Sequence, residues 1–314
     1  MKPTGLVYHP DYLLHDTGTG HPESKQRLIF LMEYLEKKEL LPKLKLIQPS
    51  LDHPLEWIGK VHAADYIQMV KETCEKGNGM LDMDTTVSPD SFKVALLAVE
   101  GVLRAVDEVM AGNSKNIFCA VRPPGHHAEK ESGRGFCIFN NVAIASVYLL
   151  EKYGLNRVMI VDWDAHHGNG TQKTFYQDPR VYYFSLHQFP LYPGTGSENE
   201  EGEGKGKGFT FNTPMAPGSG DLEYIEVFQN MFSPMAFKFS PEFVLISAGF
   251  DAHQDDPLSD LKVTTEGFGK ITQVVRDLAN ECCQGKIVSV LEGGYNLKAL
   301  SSSVEAHLEA LNGE

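Results

Sequence analysis

Residues 158–170, VMIVDWDAHHGNG, decide the fold, because an apolar run leads directly into a polar segment that contains glycine. A short run that is apolar throughout fits a strand buried on both faces of a parallel sheet. Three further apolar runs, at 117–121, 243–247 and 287–291, also lead into polar, glycine-containing segments. Ligands bind outside the carboxyl ends of strands in open α/β sheets, so we expect the four segments to share one rim.

The rest of the chain alternates short β-branched runs with longer helical patterns. Further strands are predicted at 6–8, 43–47, 181–186 and 209–212. Helices are predicted at 23–40, 91–110, 141–153, 265–283 and 297–311. This alternation predicts an α/β fold with a single, mainly parallel sheet and helices on both faces. Because no linker-like stretch divides the chain, residues 1–314 are expected to form one domain.

Composition excludes several classes of protein. The 314 residues carry a net charge of −14, which argues against a nucleic-acid surface. We find neither a signal peptide nor an apolar run that could span a membrane. Five cysteines without framework spacing predict free thiols and a cytoplasmic protein. The chain has no GxSxG motif and no GxxxxGK[ST] phosphate loop.

Asp164-Ala165-His166 is a candidate metal site. Residues i and i+2 of an extended segment point the same way, so a carboxylate and an imidazole can bind one ion. Asp251 follows another buried strand and is a candidate third ligand. Two carboxylates and one imidazole with an open position are typical of a catalytic site. A DxH pair also occurs by chance, but the presence of Asp162 and His167 nearby favours the metal site.

Other candidate residues lie in the remaining strand-end segments. His126 and His127 follow a Pro-Pro-Gly turn and are candidates for a general base and an electrostatic partner. Asp162 and Asn169 are candidates to orient the two rings. Tyr295 follows two glycines, and its phenol is a candidate donor to an oxyanion. The alternatives are a pair of surface histidines and a tyrosine packed on a turn.

The chain resembles the histone deacetylase superfamily of zinc-dependent deacetylases, which includes acetylpolyamine amidohydrolases and acetoin-utilisation proteins. The resemblance covers nearly the whole sequence and looks most like the class II branch and its bacterial relatives, because Asn169 stands where class I members have Asp. The ordered motifs that carry it are RPPGHHA (122–128), GFCIFNN (135–141), VDWDAHHGNG (161–170), SLHQ with LYPGTG (185–196), GFDAHQDDPL (249–258) and LEGGYN (291–296).

The resemblance implies an arginase-like fold and a single zinc ion bound by Asp164, His166 and Asp251. It implies His126 and His127 as the catalytic histidine pair and Tyr295 beside the scissile carbonyl. A structural potassium site is implied at Asp162, Ser185 and Leu186, with the backbone of Asp164 and His166. The implied acyl-lysine tunnel is lined by Gly135, Phe136, Tyr192 and Leu258. Tyr192 departs from the Phe of many members, so the acyl-chain preference is open.

The resemblance implies deacetylation of N6-acyl-lysine in peptides or proteins, with acetylpolyamines as the alternative substrates. Polyamine-selective members tend to place an acidic residue near the tunnel mouth, and Leu258 argues for acyl-lysine. An arginase-type binuclear manganese hydrolase shares the fold, but this chain has Asp251-Ala-His253 where that family has DxD. An inactive acetyl-lysine-binding module would have lost a metal ligand, a histidine or the tyrosine, and this chain retains all of them. Iron or cobalt also suits the ligand set of Asp164, His166 and Asp251. The sequence leaves the oligomeric state open.

Overall fold

The strands and helices are taken from a computed structural model that describes residues 3–49 and 54–313. The strands are β1 (Gly5–Val7), β2 (Lys45–Ile47), β3 (Gly79–Asp82), β4 (Thr85–Val87), β5 (Asn116–Cys119), β6 (Val158–Asp162), β7 (Val181–Gln188), β8 (Thr210–Met215), β9 (Phe243–Ala248) and β10 (Ile287–Leu291). The helices are α1 (Gln26–Lys37), α2 (Pro54–Val61), α3 (Ala64–Glu75), α4 (Ser91–Met110), α5 (Asn141–Lys152), α6 (Asn169–Phe175), α7 (Asp221–Val227), α8 (Ser233–Phe239), α9 (Thr265–Cys283) and α10 (Leu297–Asn312).

Eight strands form one parallel sheet in the order β2-β1-β5-β10-β9-β6-β7-β8. The four strands that lead into polar segments, β5, β10, β9 and β6, are therefore neighbours at the centre of the sheet. Every residue of these four strands is buried. The predicted parallel α/β architecture is confirmed, and the polar segments meet at one rim.

Helices cover the sheet on both faces and complete the core. α4 packs on α5 and on strands β1, β5 and β10, while α9 packs on α10 and α10 on α1. Fourteen of the twenty residues of α4 are buried, which explains its strongly apolar composition. In the described part of the chain, no helix combines the length and the apolar character that crossing a membrane requires.

The sequence patterns missed several short elements. The antiparallel pair β3–β4, helices α2, α3, α6, α7 and α8, and a π-helical turn at 228–232 were not predicted. Most of these elements contain too few turns for a reliable periodic signal, and in the twelve-residue α3 only Tyr66, Val70 and Cys74 are buried. Helix α1 begins at Gln26 and not at residue 23, because Glu23 is engaged in buried ion pairs before the helix starts.

Candidate active site

Asp164, His166 and Asp251 converge at the rim of the sheet. Ligand atoms from the three side chains lie within 4.8 Å of one another. His166 Nδ1 is 3.2 Å from Asp164 Oδ1 and 3.0 Å from Asp251 Oδ2. Both carboxylates are fully buried. Asp164 follows β6 and Asp251 follows β9, and these two strands pair in the sheet, so the topology brings the side chains together.

Backbone donors fix both carboxylates. The N–H of Gly293 donates to Asp164 Oδ2 at 2.8 Å, and that of Ala165 donates to Asp251 Oδ1 at 2.8 Å. Glycine is required at 249 and 293, because a Cβ atom at either position would overlap a carboxylate oxygen of Asp164 or Asp251. The cluster is therefore pre-formed by close backbone approach.

The donor set suits a divalent cation. Burial and the negative charge of Asp164 raise the pKa of Asp251. A divalent cation between the two carboxylates would relieve their repulsion. Burial alone would lower the pKa of His166, but its hydrogen bonds to Asp164 and Asp251 raise it to about 10. A divalent ion would replace that proton and balance the two carboxylates. Two oxygen ligands and one nitrogen ligand fit zinc with an open coordination position.

The two histidines that follow β5 lie beside this cluster with their ring centroids 4.0 Å apart. His126 Nδ1 is 3.1 Å from Asp162 Oδ2, and His127 Nδ1 is 2.8 Å from Asn169 Oδ1. Burial would lower the pKa of His126, but Asp162, Asp164 and Glu292 raise it to about 10. Burial and the neighbouring charges of His126 and His166 hold the pKa of His127 well below its usual value. These shifts favour a protonated His126 ring and a neutral His127 ring.

Glu129 supports the second histidine, and the sequence analysis missed it. Its Oε1 accepts a 2.8 Å hydrogen bond from Asn169 Nδ2, while its Oε2 is 2.6 Å from Lys173 Nζ. Because the Asn169 amide nitrogen donates to Glu129, the amide oxygen faces His127. An oxygen acceptor at Nδ1 keeps the proton there and leaves Nε2 free to accept a proton.

Tyr295 is positioned by two residues that the sequence analysis also missed. Its backbone N–H donates to Asp256 Oδ2 at 2.7 Å. Arg27 lies over its ring at 5.1 Å from the centroid and donates to the carbonyl oxygens of Glu292 and Gly294 at 2.5 and 2.7 Å. Asp256 and Arg27 belong to no spacing pattern in the sequence, so these roles could not be predicted from it.

The predicted tunnel residues surround these groups. The Phe136 ring lies 5.8 Å from that of Tyr295, and the Tyr192 ring lies 5.1 Å from that of His127. Gly135 has φ +55°, and a Cβ atom there would overlap His127. Arg134 Nε donates to the Tyr192 hydroxyl at 3.2 Å. Leu258 is half-buried, and its N–H donates to Asp256 at 3.0 Å.

The predicted potassium ligands lie behind the cluster. Asp162 at the end of β6 is the register partner of Ser185 in β7, and both side chains, like that of Leu186, are fully buried. His253, which stands where an arginase-type second site has the second Asp of its DxD motif, is not part of the cluster. Its Nε2 is 3.4 Å from Thr265 Oγ1, and among the described residues it belongs to no candidate group of metal ligands.

Comparisons with known proteins agree with this geometry. The sequence model for the histone deacetylase domain matches residues 21–311. A probable deacetylase of Archaeoglobus fulgidus is 42% identical over 94% of this chain and 82% of its own length. The polyamine deacetylase HDAC10 of Mus musculus is 38% identical over 99% of this chain and 48% of its own length.

A solved structure gives the same result. The crystal structure of the HDA15 HD domain superposes with a TM-score of 0.95 at 37% identity, covering 100% of this chain and 89% of that one. Together with the family match across nearly the whole sequence, this similarity also assigns the arginase-like fold. The chain is a member of the histone deacetylase family, a family of deacetylases that hydrolyse amides.

Proposed function

We propose that this protein is a zinc-dependent deacetylase that removes acetyl or related acyl groups from N6-acyl-lysine in peptides or proteins. The observation that carries the proposal is the convergence of Asp164, His166 and Asp251 beside the buried histidine pair. We further propose that residues 1–314 act as one catalytic domain. Five free cysteines are consistent with the predicted cytoplasmic location.

Asp164, His166 and Asp251 would hold the zinc ion. When bound, it would polarise the amide carbonyl and lower the pKa of a nearby water molecule. His127 takes the proton from the attacking water, because its neutral ring has Nδ1–H bonded to Asn169 and Nε2 free. His127 then returns this proton to the departing amine, and acetate is the second product.

His126 and Tyr295 stabilise the negative charge that develops on the carbonyl oxygen. The carboxylates around His126 keep its ring protonated, so it contributes a positive charge without taking up another proton. The phenol of Tyr295 donates a hydrogen bond to the oxygen. Asp256 and Arg27 set the position of this tyrosine. Preorganised donors of this kind are worth more in a buried site than in water.

We propose that Gly135, Phe136, Tyr192 and Leu258 line a channel that receives an acyl-lysine side chain. Phe136 and Tyr192 would contact its methylene stem, and Gly135 would let the stem pass close to the backbone. The half-buried Leu258 adds an apolar wall and offers no charge to a second amine of a substrate. The hydroxyl of Tyr192 accepts a hydrogen bond from Arg134. A polar group at this position of the proposed tunnel wall would favour short acyl chains.

We also propose a structural potassium ion held by Asp162, by Ser185 and Leu186, and by the backbone of Asp164 and His166. The β6–β7 register, which sets Asp162 beside Ser185, supports this site. Bound potassium would help to fix the Asp162 carboxylate that pairs with His126.

Acetylpolyamines are the second candidate substrates. The supporting observation is the similarity to a relative named as a polyamine deacetylase. The net charge of −14 fits polyamines and basic peptides equally. Zinc-loaded protein should be assayed side by side on an acetyl-lysine peptide, N-acetylputrescine and N8-acetylspermidine. We expect the peptide to give the highest kcat/KM. A higher kcat/KM for either polyamine would overturn the lysine assignment, and no turnover of any of them would overturn the deacetylase proposal.

A further inference from the structure

A second group of potential metal ligands lies next to the proposed zinc site. It consists of His126, Cys137 and Glu292, and one ligand atom from each lies within 4.8 Å of the others. All three side chains are buried. The turn that follows Gly135 brings the thiol of Cys137 to the rim.

Glu292 has an oxygen without a partner. Its Oε2 accepts hydrogen bonds from the backbone N–H groups of Gly125 and His126 at 2.7 and 3.2 Å. Its Oε1 is buried and makes no hydrogen bond. A buried carboxylate oxygen without a donor is costly and calls for a specific reason, such as a water molecule or an ion at that point.

The donor atoms of the three side chains suit a thiophilic divalent cation. Because Nδ1 of His126 is bonded to Asp162, Nε2 is the ring nitrogen left for a metal. One nitrogen, one sulfur and one oxygen form a ligand set that zinc and cobalt accept.

We propose that His126, Cys137 and Glu292 form a second, inhibitory site for a thiophilic divalent cation such as Zn²⁺ or Co²⁺. Metal binding at this site follows from the ligand geometry alone. Inhibition rests on the proposed function, because an ion on His126 would engage the ring that stabilises the reacting carbonyl. The two parts can therefore be tested separately.

The test is a titration of the metal-free full-length chain with Co²⁺, followed by near-ultraviolet absorption. The proposed zinc site contains no sulfur, so a thiolate-to-cobalt charge-transfer band reports the second site alone. We expect this band to develop with the second equivalent and to be absent from Cys137→Ser. Glu292→Gln should raise the dissociation constant for the second Co²⁺ ion by at least about tenfold. The control variant Cys283→Ser, at the end of α9, should keep the band, and circular dichroism should show that all variants fold.

Deacetylation is measured in parallel as Zn²⁺ is raised beyond one equivalent. The wild type should be inhibited, and the inhibition constant should rise at least about tenfold in Cys137→Ser. Absence of the band at excess Co²⁺, or its persistence in Cys137→Ser, would overturn the site. A water molecule would then be the remaining explanation for the unpaired Oε1 of Glu292. A band without inhibition would overturn the inhibitory role. If no substrate is turned over, the band still decides whether the site exists.

Discussion

Replacement of Glu129 by leucine tests how the proposed general base is oriented. Glu129 touches neither the metal ligands nor the histidine pair, but its carboxylate accepts the 2.8 Å hydrogen bond from the Asn169 amide. Without that acceptor, the amide nitrogen keeps only a long, 3.4 Å hydrogen bond to the His127 carbonyl oxygen, and the amide can turn its nitrogen toward the His127 ring. Nδ1 would then become the acceptor, and the proton would move to Nε2, where the base must be free.

The expected loss follows from the strength of this one bond. A hydrogen bond to a charged group contributes about 1.5–3 kcal/mol, which corresponds to roughly a 10- to 150-fold change in population. The Glu129 side chain is 16% exposed and shares its charge with Lys173, so we expect the lower part of this range. We therefore expect Glu129→Leu to lower kcat about 10- to 30-fold while KM and metal content stay within about twofold.

Two further variants separate amide orientation from charge. Glu129→Gln keeps an oxygen acceptor and should retain kcat within about fivefold. Lys173→Ala removes one of the two basic partners of Glu129 and leaves Arg134 at 3.5 Å and the bond to Asn169, so activity should remain near that of the wild type. The assay is steady-state deacetylation of an acetyl-lysine peptide, with metal content measured on the same samples. Full kcat in Glu129→Leu, or an equal loss in Lys173→Ala, would refute the reasoning.

Three further predictions concern the oxyanion donor, the metal cradle and acid stability. Tyr295→Phe should lower kcat by about 10²–10³-fold with bound zinc retained, and near-normal turnover would rule out a role for the phenol as a donor. Gly293→Ala should lose zinc in equilibrium dialysis, because the added Cβ atom would overlap the carboxylates of Asp164 and Asp251. The control Gly59→Ala in α2 should bind zinc normally, because its Cβ atom would have no heavy atom within 4 Å. Burial lowers the pKa of His307 to about 3, below its value in the unfolded chain, so the unfolded chain takes up a proton at this residue as the pH falls below about 6.5 and the folded protein does not. The folded state is therefore destabilised progressively below that pH. The urea-unfolding free energy should decrease by about 1.4 kcal/mol per pH unit for this residue between pH 6 and 4, and His307→Gln should reduce that slope.

The sequence predicted the central strands well because each is a continuous apolar run. Burial on both faces produces that pattern, and the run stops where the polar rim begins. The proposed zinc ligands could be predicted because Asp164 and His166 are two residues apart and Asp251 follows a strand of the same type. Parallel pairing of β6 and β9 then brings them together.

The supporting residues could not be found in the same way. Glu129, Asp256 and Arg27 act through single hydrogen bonds to an amide, a backbone N–H and two carbonyls, and such bonds leave no periodic trace in a sequence. Cys137 and Glu292 are 155 positions apart in the numbering and meet only because β5 and β10 are neighbours in the sheet. Long-range contacts of this kind require the strand order, which the sequence patterns did not give.

The most direct test of the account is the zinc stoichiometry of the first, tight binding event, measured by isothermal titration of metal-free protein together with elemental analysis. The wild type should bind one tight zinc ion per chain. Asp251→Asn, which keeps the shape of the side chain but removes its charge, should lose that ion and all turnover. Asp255→Asn, a change at an exposed neighbouring carboxylate, should retain both. Tight binding of zinc by Asp251→Asn, or none by the wild type, would contradict the central claim.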